Sequence, residues 1–424
     1  MKSLYLMGAY YKGISLFFIF YALSTLGLFA QNSKEFRGQI VDSESNKPVA
    51  LADMLVIGTN ISTITNTDGE FLLKVPNEHL SKSVLISFLG YKRQEIPLSD
   101  FETNETKIKL VEAATVLARV DINSPKDAET LVRKTLALKA ENYINDETIM
   151  TGFYRETIKK RNKNASLSEA VLKIYKQPYI SNKNDAISIV KARKNTIYSR
   201  LDTVALKLQG GPFSTLYTDV IKYQDYIFTA ENLSHYNFTF SRSTQINNKL
   251  IYVVNFKQKE DITDPLYYGT LFIDADTYAL TSATYNLNVS DREAASKLFV
   301  RKKPRKVTVY PTEAAYRINY RVKNGKWHFG YSNILLTFKV NWQNKLFNSR
   351  YTLQSEMAIT DWDQDITSFT SNPKDRLKTN SILVDKASGF SDPRFWGEYN
   401  IIEPEKSIEN AIEKINKQLE KKED

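Results

Sequence analysis

Cysteine is absent from all 424 residues. No disulfide, thiolate metal site, cysteine nucleophile or cysteine-linked lipid can therefore form. Histidine is scarce: only His79, His235 and His328 occur. None has Glu three positions on, so the zinc-ligand spacing of a peptidase is missing, and so is His-Glu-x-x-His. There is no Gly-x-Ser-x-Gly elbow. Gly210-Gly211-Pro212 is not followed by the Gly-Lys-Ser/Thr of a phosphate-cradling loop and reads as a turn. After the first 30 residues no apolar run is long enough to cross a bilayer as a helix. These absences argue against an enzyme and against a cofactor, although a carboxylate pair set by the fold stays open as a hydrolase alternative.

Acidic residues are outnumbered, 48 against 58 Lys and Arg, for a net charge of +10. The excess is spread along the chain, with clusters only at Lys159-Lys160-Arg161 and Arg301-Lys302-Lys303. Both read as solvated loops or strand ends, the alternative being contact with an anionic membrane or an acidic glycan. No nucleic-acid module is present, so no nucleic-acid partner is expected. Asp361, Asp363 and Asp365 have the opening spacing of a calcium loop. Ile366 stands where such a loop needs Gly and Asn372 where it needs a bidentate Glu, so an acidic turn is expected and no metal site.

What is present begins with an export pattern. Lys2 and Lys12 precede an apolar stretch from Ile14 to Ala30, and polar Gln31-Asn32-Ser33 follows. Residues 1–30 read as a signal peptide, with an uncleaved anchor as the alternative. Its removal leaves a net charge of +8. The protein is thus expected in the periplasm or at the outer membrane of a Gram-negative bacterium, without a stable transmembrane span.

Residues Phe36 to Tyr91 alternate short apolar runs with turn signals. Phe36-Arg37-Gly38-Gln39-Ile40-Val41-Asp42 leads to Pro48 and Gly58-Thr59. Thr65-Asn66-Thr67-Asp68-Gly69-Glu70-Phe71 and Leu85–Tyr91 close the block. Asp68-Gly69 is expected to form a hairpin turn in a small antiparallel sandwich. In this order the block resembles the carboxypeptidase regulatory-like domain, a transthyretin-like β-sandwich. The resemblance implies a non-catalytic module, of the kind carried by carboxypeptidases and by TonB-dependent receptors.

The expected fold is mainly β. Residues 31–111 form the sandwich and 112–146 a linker, with a helix at Pro125–Asn142 that Ser124 caps. Residues 147–400 form a large curved antiparallel sheet or half-barrel with one face in water. A C-terminal amphipathic helix occupies 401–424, where Ile408, Ala411, Ile412, Ile415 and Leu419 make a stripe. Asn324-Gly325 is the strongest hairpin signal. Gly269–Asp274 and Leu280–Tyr285 give this part a loose resemblance to the outer-membrane lipoprotein carrier fold, which implies a face that holds acyl chains. Tyr252, Val254, Phe256, Tyr285, Ile334, Leu336 and Phe338 are the candidate lining residues. The alternative is that they are a sealed core. The function expected is binding of a lipid or other apolar ligand, or of a partner such as an outer-membrane protein. A role as accessory to outer-membrane nutrient (glycan) uptake is the runner-up.

Overall fold

The computed structural model describes residues 33–102, 106–113, 126–161, 163–196, 211–229, 231–246, 249–300, 305–343, 348–362, 367, 375–387 and 395–405. The export segment, Ser124 and Pro125, Asp363 and Asp365, and the final helix beyond residue 405 lie outside these residues.

Seven strands build the N-terminal sandwich: β1 (Ser33–Asp42), β2 (Asp53–Val56), β3 (Ser62–Ile64), β4 (Glu70–Pro76), β5 (Ser83–Ser87), β6 (Gln94–Pro97) and β7 (Thr106–Leu110). One sheet has the order β4-β1-β7, the other β3-β2-β5-β6. Alternate residues such as Phe36 and Ile40 point inward and meet Met54, Val56, Phe71 and Ile86 in one core. Two details differ from expectation. Strand β7 runs parallel to β1, from Gly38↔Thr106 to Asp42↔Leu110, so the sandwich is not wholly antiparallel. Asp68-Gly69 does not close a hairpin, because β3 and β4 belong to different sheets. Asn66 organises the crossing, its side-chain oxygen accepting from the amides of Asp68 and Glu70, both at 2.9 Å. Gly69 sits there at φ +72°, where an added Cβ would meet the Ile40 carbonyl at 2.5 Å.

Helix α1 (Ala128–Ala137) and the short α2 (Lys139–Asn142) follow. The N-cap of α1 is Asp127, accepting from the Thr130 amide at 2.7 Å, and not Ser124. The large sheet then contains β8 (Thr148–Lys160), β9 (Lys163–Lys176), β10 (Ala186–Thr196), β11 (Tyr236–Phe240), β12 (Thr244–Ile246), β13 (Lys249–Gln258), β14 (Tyr267–Asp274), β15 (Leu280–Leu287), β16 (Val307–Lys323), β17 (Lys326–Trp342) and β18 (Ser349–Trp362). Helices α3 (Pro212–Leu216) and α4 (Arg292–Phe299) are inserted between strands. The sheet order is β10-β9-β8-β18-β17-β16-β15-β14-β13-β11, with β12 also on β13, and the sheet is open at β10 and β11. Asn324 and Gly325, at φ 50° and 75°, close the β16–β17 hairpin, the positive pair that a type I′ turn needs.

The outer face of this sheet is not simply solvated. Ile64 and Leu72 of the sandwich pack with Phe153, Val171, Tyr331 and Ala358 of the sheet, and Trp396, Ile401 and Ile402 lie in the same cluster. The segment 395–405 is a strap between the two bodies. Asn400 stands in for a neighbouring strand on β4, accepting from the Lys74 amide at 2.7 Å and donating to its carbonyl at 3.0 Å. Asn66 donates to the Glu403 carbonyl at 3.2 Å, and Arg37 pairs with the Glu403 carboxylate. Beneath the strap runs a buried ionic row of Glu356, Arg155, Glu169 and Arg193 on adjacent strands. Alternation marks such residues as one polar face but carries no signal that the chain's own end will cover it.

Candidate functional site

The inner face carries the sequence-derived lining residues in register. One row of cross-strand partners runs Phe256, Gly269, Tyr285, Tyr316, Ile334, Ser355, Glu156 and Ser168. The neighbouring row runs Val254, Leu271, Ala283, Ile318, Ser332, Met357, Tyr154 and Ala170. Val254, Phe256 and Tyr285 belong to one buried cluster, with half-buried Tyr252 packed against it. Ile334, Leu336 and Phe338 belong to a second cluster, capped by Phe299 of α4 at 5.8 Å from Phe338. Tyr267 and Tyr316 touch both clusters, so the two form one apolar surface. Tyr285 and Tyr316 stack at 5.0 Å, and Gly269 makes room for them, since a Cβ there would meet the Tyr285 Cβ at 2.7 Å.

The part of that surface around Tyr285 and Phe256 is filled by the chain itself. Residues 211–228 cross it from β18 to β13. Phe213, Leu216, Val220, Ile221, Ile227 and Phe228 are buried against it. Phe228 reaches Phe256 at 5.1 Å. At the other end Thr215 meets Met357, Oγ1 to Sδ at 3.9 Å. This inner segment forms no strand on the sheet and is held by side chains. A polar clamp fixes its centre. Lys176 Nζ donates to Asp185 Oδ2 at 2.8 Å and to Asp219 Oδ2 at 2.9 Å. The hydroxyls of Tyr179 and Tyr320 donate to Asp219 at 2.9 and 2.8 Å, and Tyr223 donates to Asp185 at 2.8 Å. Burial alone would depress the Lys176 ammonium, but the two carboxylates outweigh it and raise its pKa. The clamp escaped sequence reasoning because its acids lie in or beside the irregular stretch between β9 and β11. Tyr175 to Tyr179 with Tyr217 and Tyr223 was the available signal.

A second polar group interrupts the apolar surface. Glu156 is buried in the first row, and its Oε2 accepts from Tyr154 OH at 3.0 Å. Burial pushes its carboxyl up to about 7, partly offset by the Tyr154 hydrogen bond, with Asp385 nearby adding to the rise. A carboxyl raised above its unfolded value stabilises the fold least when ionised. The resulting stability is present below the ordinary Glu value and is lost as pH climbs through about 7. Glu156→Gln is therefore expected to match the parent at acid pH and to exceed its unfolding free energy by about 3 kcal/mol at pH 8. Urea unfolding of both proteins across that range checks this; a gap independent of pH would contradict it.

Of the acidic candidates, Asp361 is an exposed residue near the end of β18 whose carboxylate accepts from the Trp362 amide at 2.7 Å. Among the described residues no group of three or more His, Asp or Glu side chains is placed to hold a metal. No helix among them is long and apolar enough to cross a membrane.

Residues 36–121, a range that takes in most of the N-terminal sandwich, match the family model of the CarboxypepD_reg-like domain. A comparison with curated proteins finds no match. Among solved structures, a LolA superfamily protein from Nitrosomonas europaea is 10% identical with a TM-score of 0.22, the match covering 58% of this chain and 99% of that one. A DUF1329 family protein from Desulfovibrio piger is 10% identical with a TM-score of 0.24, covering 58% and 98%. MucB, solved in complex with MucA, is 11% identical with a TM-score of 0.18, covering 56% and 94%. At TM-scores this low none of their properties transfers to this chain.

Proposed function

We propose that this is an exported, non-enzymatic envelope protein that takes a long apolar ligand on the inner face of its curved sheet, exchanging it for the inner segment 211–228. The observation that carries the reading is that the part of this apolar surface around Tyr285 and Phe256 is covered by a segment that makes no strand pairing with it. At the open β11 edge the same face ends in exposed Phe240, 6.2 Å from half-buried Tyr252, which gives a ligand a point of entry. The energetics select the ligand's size. Lifting six buried apolar side chains costs about 12 kcal/mol at ~2 kcal/mol each. An acyl chain of about 14 methylenes returns about 11 kcal/mol at ~0.8 kcal/mol each. A chain of that length comes within about 1 kcal/mol of balancing the apolar side chains alone, and shorter ones fall further behind. The missing nucleophile, zinc and phosphate-loop motifs support a binding role over catalysis, and the lysine-led apolar start of the chain supports export.

Native mass spectrometry of residues 31–424 purified from a bacterial periplasm, with organic extraction, is expected to find a bound apolar mass. Because the chain has no cysteine, the pair Thr215→Cys and Met357→Cys would be its only thiols. Oxidised, that pair pins the inner segment and is expected to abolish uptake of an acyl probe, which reduction restores. A wild-type protein that is clean of ligand and takes up no probe would overturn the reading.

A further inference from the structure

Every residue pairing along the inner row from Phe256 to Ile334 is apolar or aromatic, apart from Gly269; beyond Ile334 the row turns polar at Ser355, Glu156 and Ser168. The change occurs on neighbouring strands of one face. Glu156 lies about 19 Å along the sheet from Tyr285, four strand spacings of ~4.8 Å. Two observations mark this end as unfinished. Glu156 is buried, yet no Lys, Arg or His among the described residues pairs with it. The hydroxyl of Ser168, its register partner, is fully buried and has no hydrogen-bond partner. The charged groups facing Glu156 are few. Asp385 comes from the segment whose Leu383 packs into the inner cluster, and Lys194 stands two strands away, beyond Ser168. A buried carboxyl without a cation needs a proton or an external cation, and an unpartnered hydroxyl beside it can accept from the same donor.

We infer that Glu156, Ser168 and Tyr154 form a headgroup site for an amphiphile ending in a primary ammonium, whose tail lies along Ile334, Tyr285 and Phe256. This rests on the reading of the inner face as the ligand face. The ammonium donates to Glu156 and Ser168, and Tyr154 keeps its hydrogen bond to the carboxylate. Binding of the cation draws the proton off Glu156, so the preference for an amine strengthens as pH rises toward 8.

The test compares tetradecylammonium with tetradecanol, which share a tail, on wild-type protein, Glu156→Gln and Ser168→Ala. Wild type is expected to bind the amine at least tenfold tighter than the alcohol at pH 8, with a smaller preference at pH 5. Glu156→Gln is expected to lose the preference and to bind the two probes alike. Ser168→Ala is expected to lose part of the preference, and its small side chain guards against loss of folding. Equal binding of both probes by wild type, or an amine preference that survives in Glu156→Gln, overturns the headgroup site and leaves the ligand face standing. Failure of both probes to bind wild type overturns both.

Discussion

Lys176→Met is expected to lower the unfolding free energy by about 3–5 kcal/mol at neutral pH, measured by urea titration. The ammonium is buried between Asp185 and Asp219, whose side chains are fully covered. Removing it leaves two carboxylates in the interior with only hydroxyl and amide donors. Desolvating an uncompensated charge costs several kcal/mol, whereas an exposed ion pair contributes less than about 1 kcal/mol. Lys297→Met is the control, since its partner Glu293 and Lys297 itself both lie in solvent, and a change within about 0.5 kcal/mol is expected. The clamp also decides where the loss appears. Asp219 lies in the inner segment and Tyr320 and Lys176 lie on the sheet, so the segment loses its anchor before the sheet loses its pairing. Cleavage within residues 211–228 and uptake of an acyl probe should both accelerate. The raised Lys176 pKa means the stabilisation is whole below its unfolded value and fades only as pH rises through the folded one, so the deficit is constant across the neutral range. A loss under about 1 kcal/mol would show that the clamp does not hold the segment.

How much of this was legible in the chain depends on the range of the interaction. Asn324-Gly325 and the alternation on either side of it determine β16, β17 and their register next to the turn, because both signals are local, whereas the register shifts at Asn319/Tyr320 and Pro311/Glu313 had no such signal. Tyr252, Val254, Phe256, Tyr285, Ile334, Leu336 and Phe338 fall on one inner surface for the same reason. Asp127 displaced Ser124 as helix cap within a stretch where either polar residue could serve. Asp68-Gly69 has the composition of a hairpin turn, yet the turn joins two sheets. A positive φ is a local demand, while the sheet that the next strand joins is a long-range choice. The same limit hid both covers of the large sheet. Nothing near Arg155 in sequence announces Ile402, and nothing near Tyr285 announces Phe213 and Thr218. The charged residues of the outer face read as solvated because alternation reports which side a residue takes, not what lies over it.

Arg155→Met is the second large effect, at about 3–5 kcal/mol, and it separates the two faces of the sheet. The guanidinium donates through Nε to Glu169 at 2.8 Å and through Nη2 to the Ile402 carbonyl at 2.7 Å, and Nη1 lies 3.3 Å from Glu356. Glu169 keeps Arg193 at 2.7 Å after the substitution, but Glu356 keeps only Tyr331. Burial alone would raise Glu169, and the two arginines outweigh it and hold its carboxyl below the ordinary range. That stabilisation is present above the unfolded Glu value and is lost as pH falls through the lower folded one. The variant, with one arginine gone, has less to lose on acidification, so its deficit should narrow at acid pH. The strap loses its contact at Ile402, and proteolysis between the sandwich and the sheet should quicken, while cleavage in 211–228 should not. Arg155 pairs with Glu169, which stands seven residues from Lys176 along β9, about 23 Å at ~3.3 Å per residue, and the two networks share no partner. Combined with Lys176→Met, the two losses should add to within about 0.5 kcal/mol. A coupling well above that would mean that β8 and β9 transmit between the faces, and that loosening the sandwich on the outside bears on the inner segment.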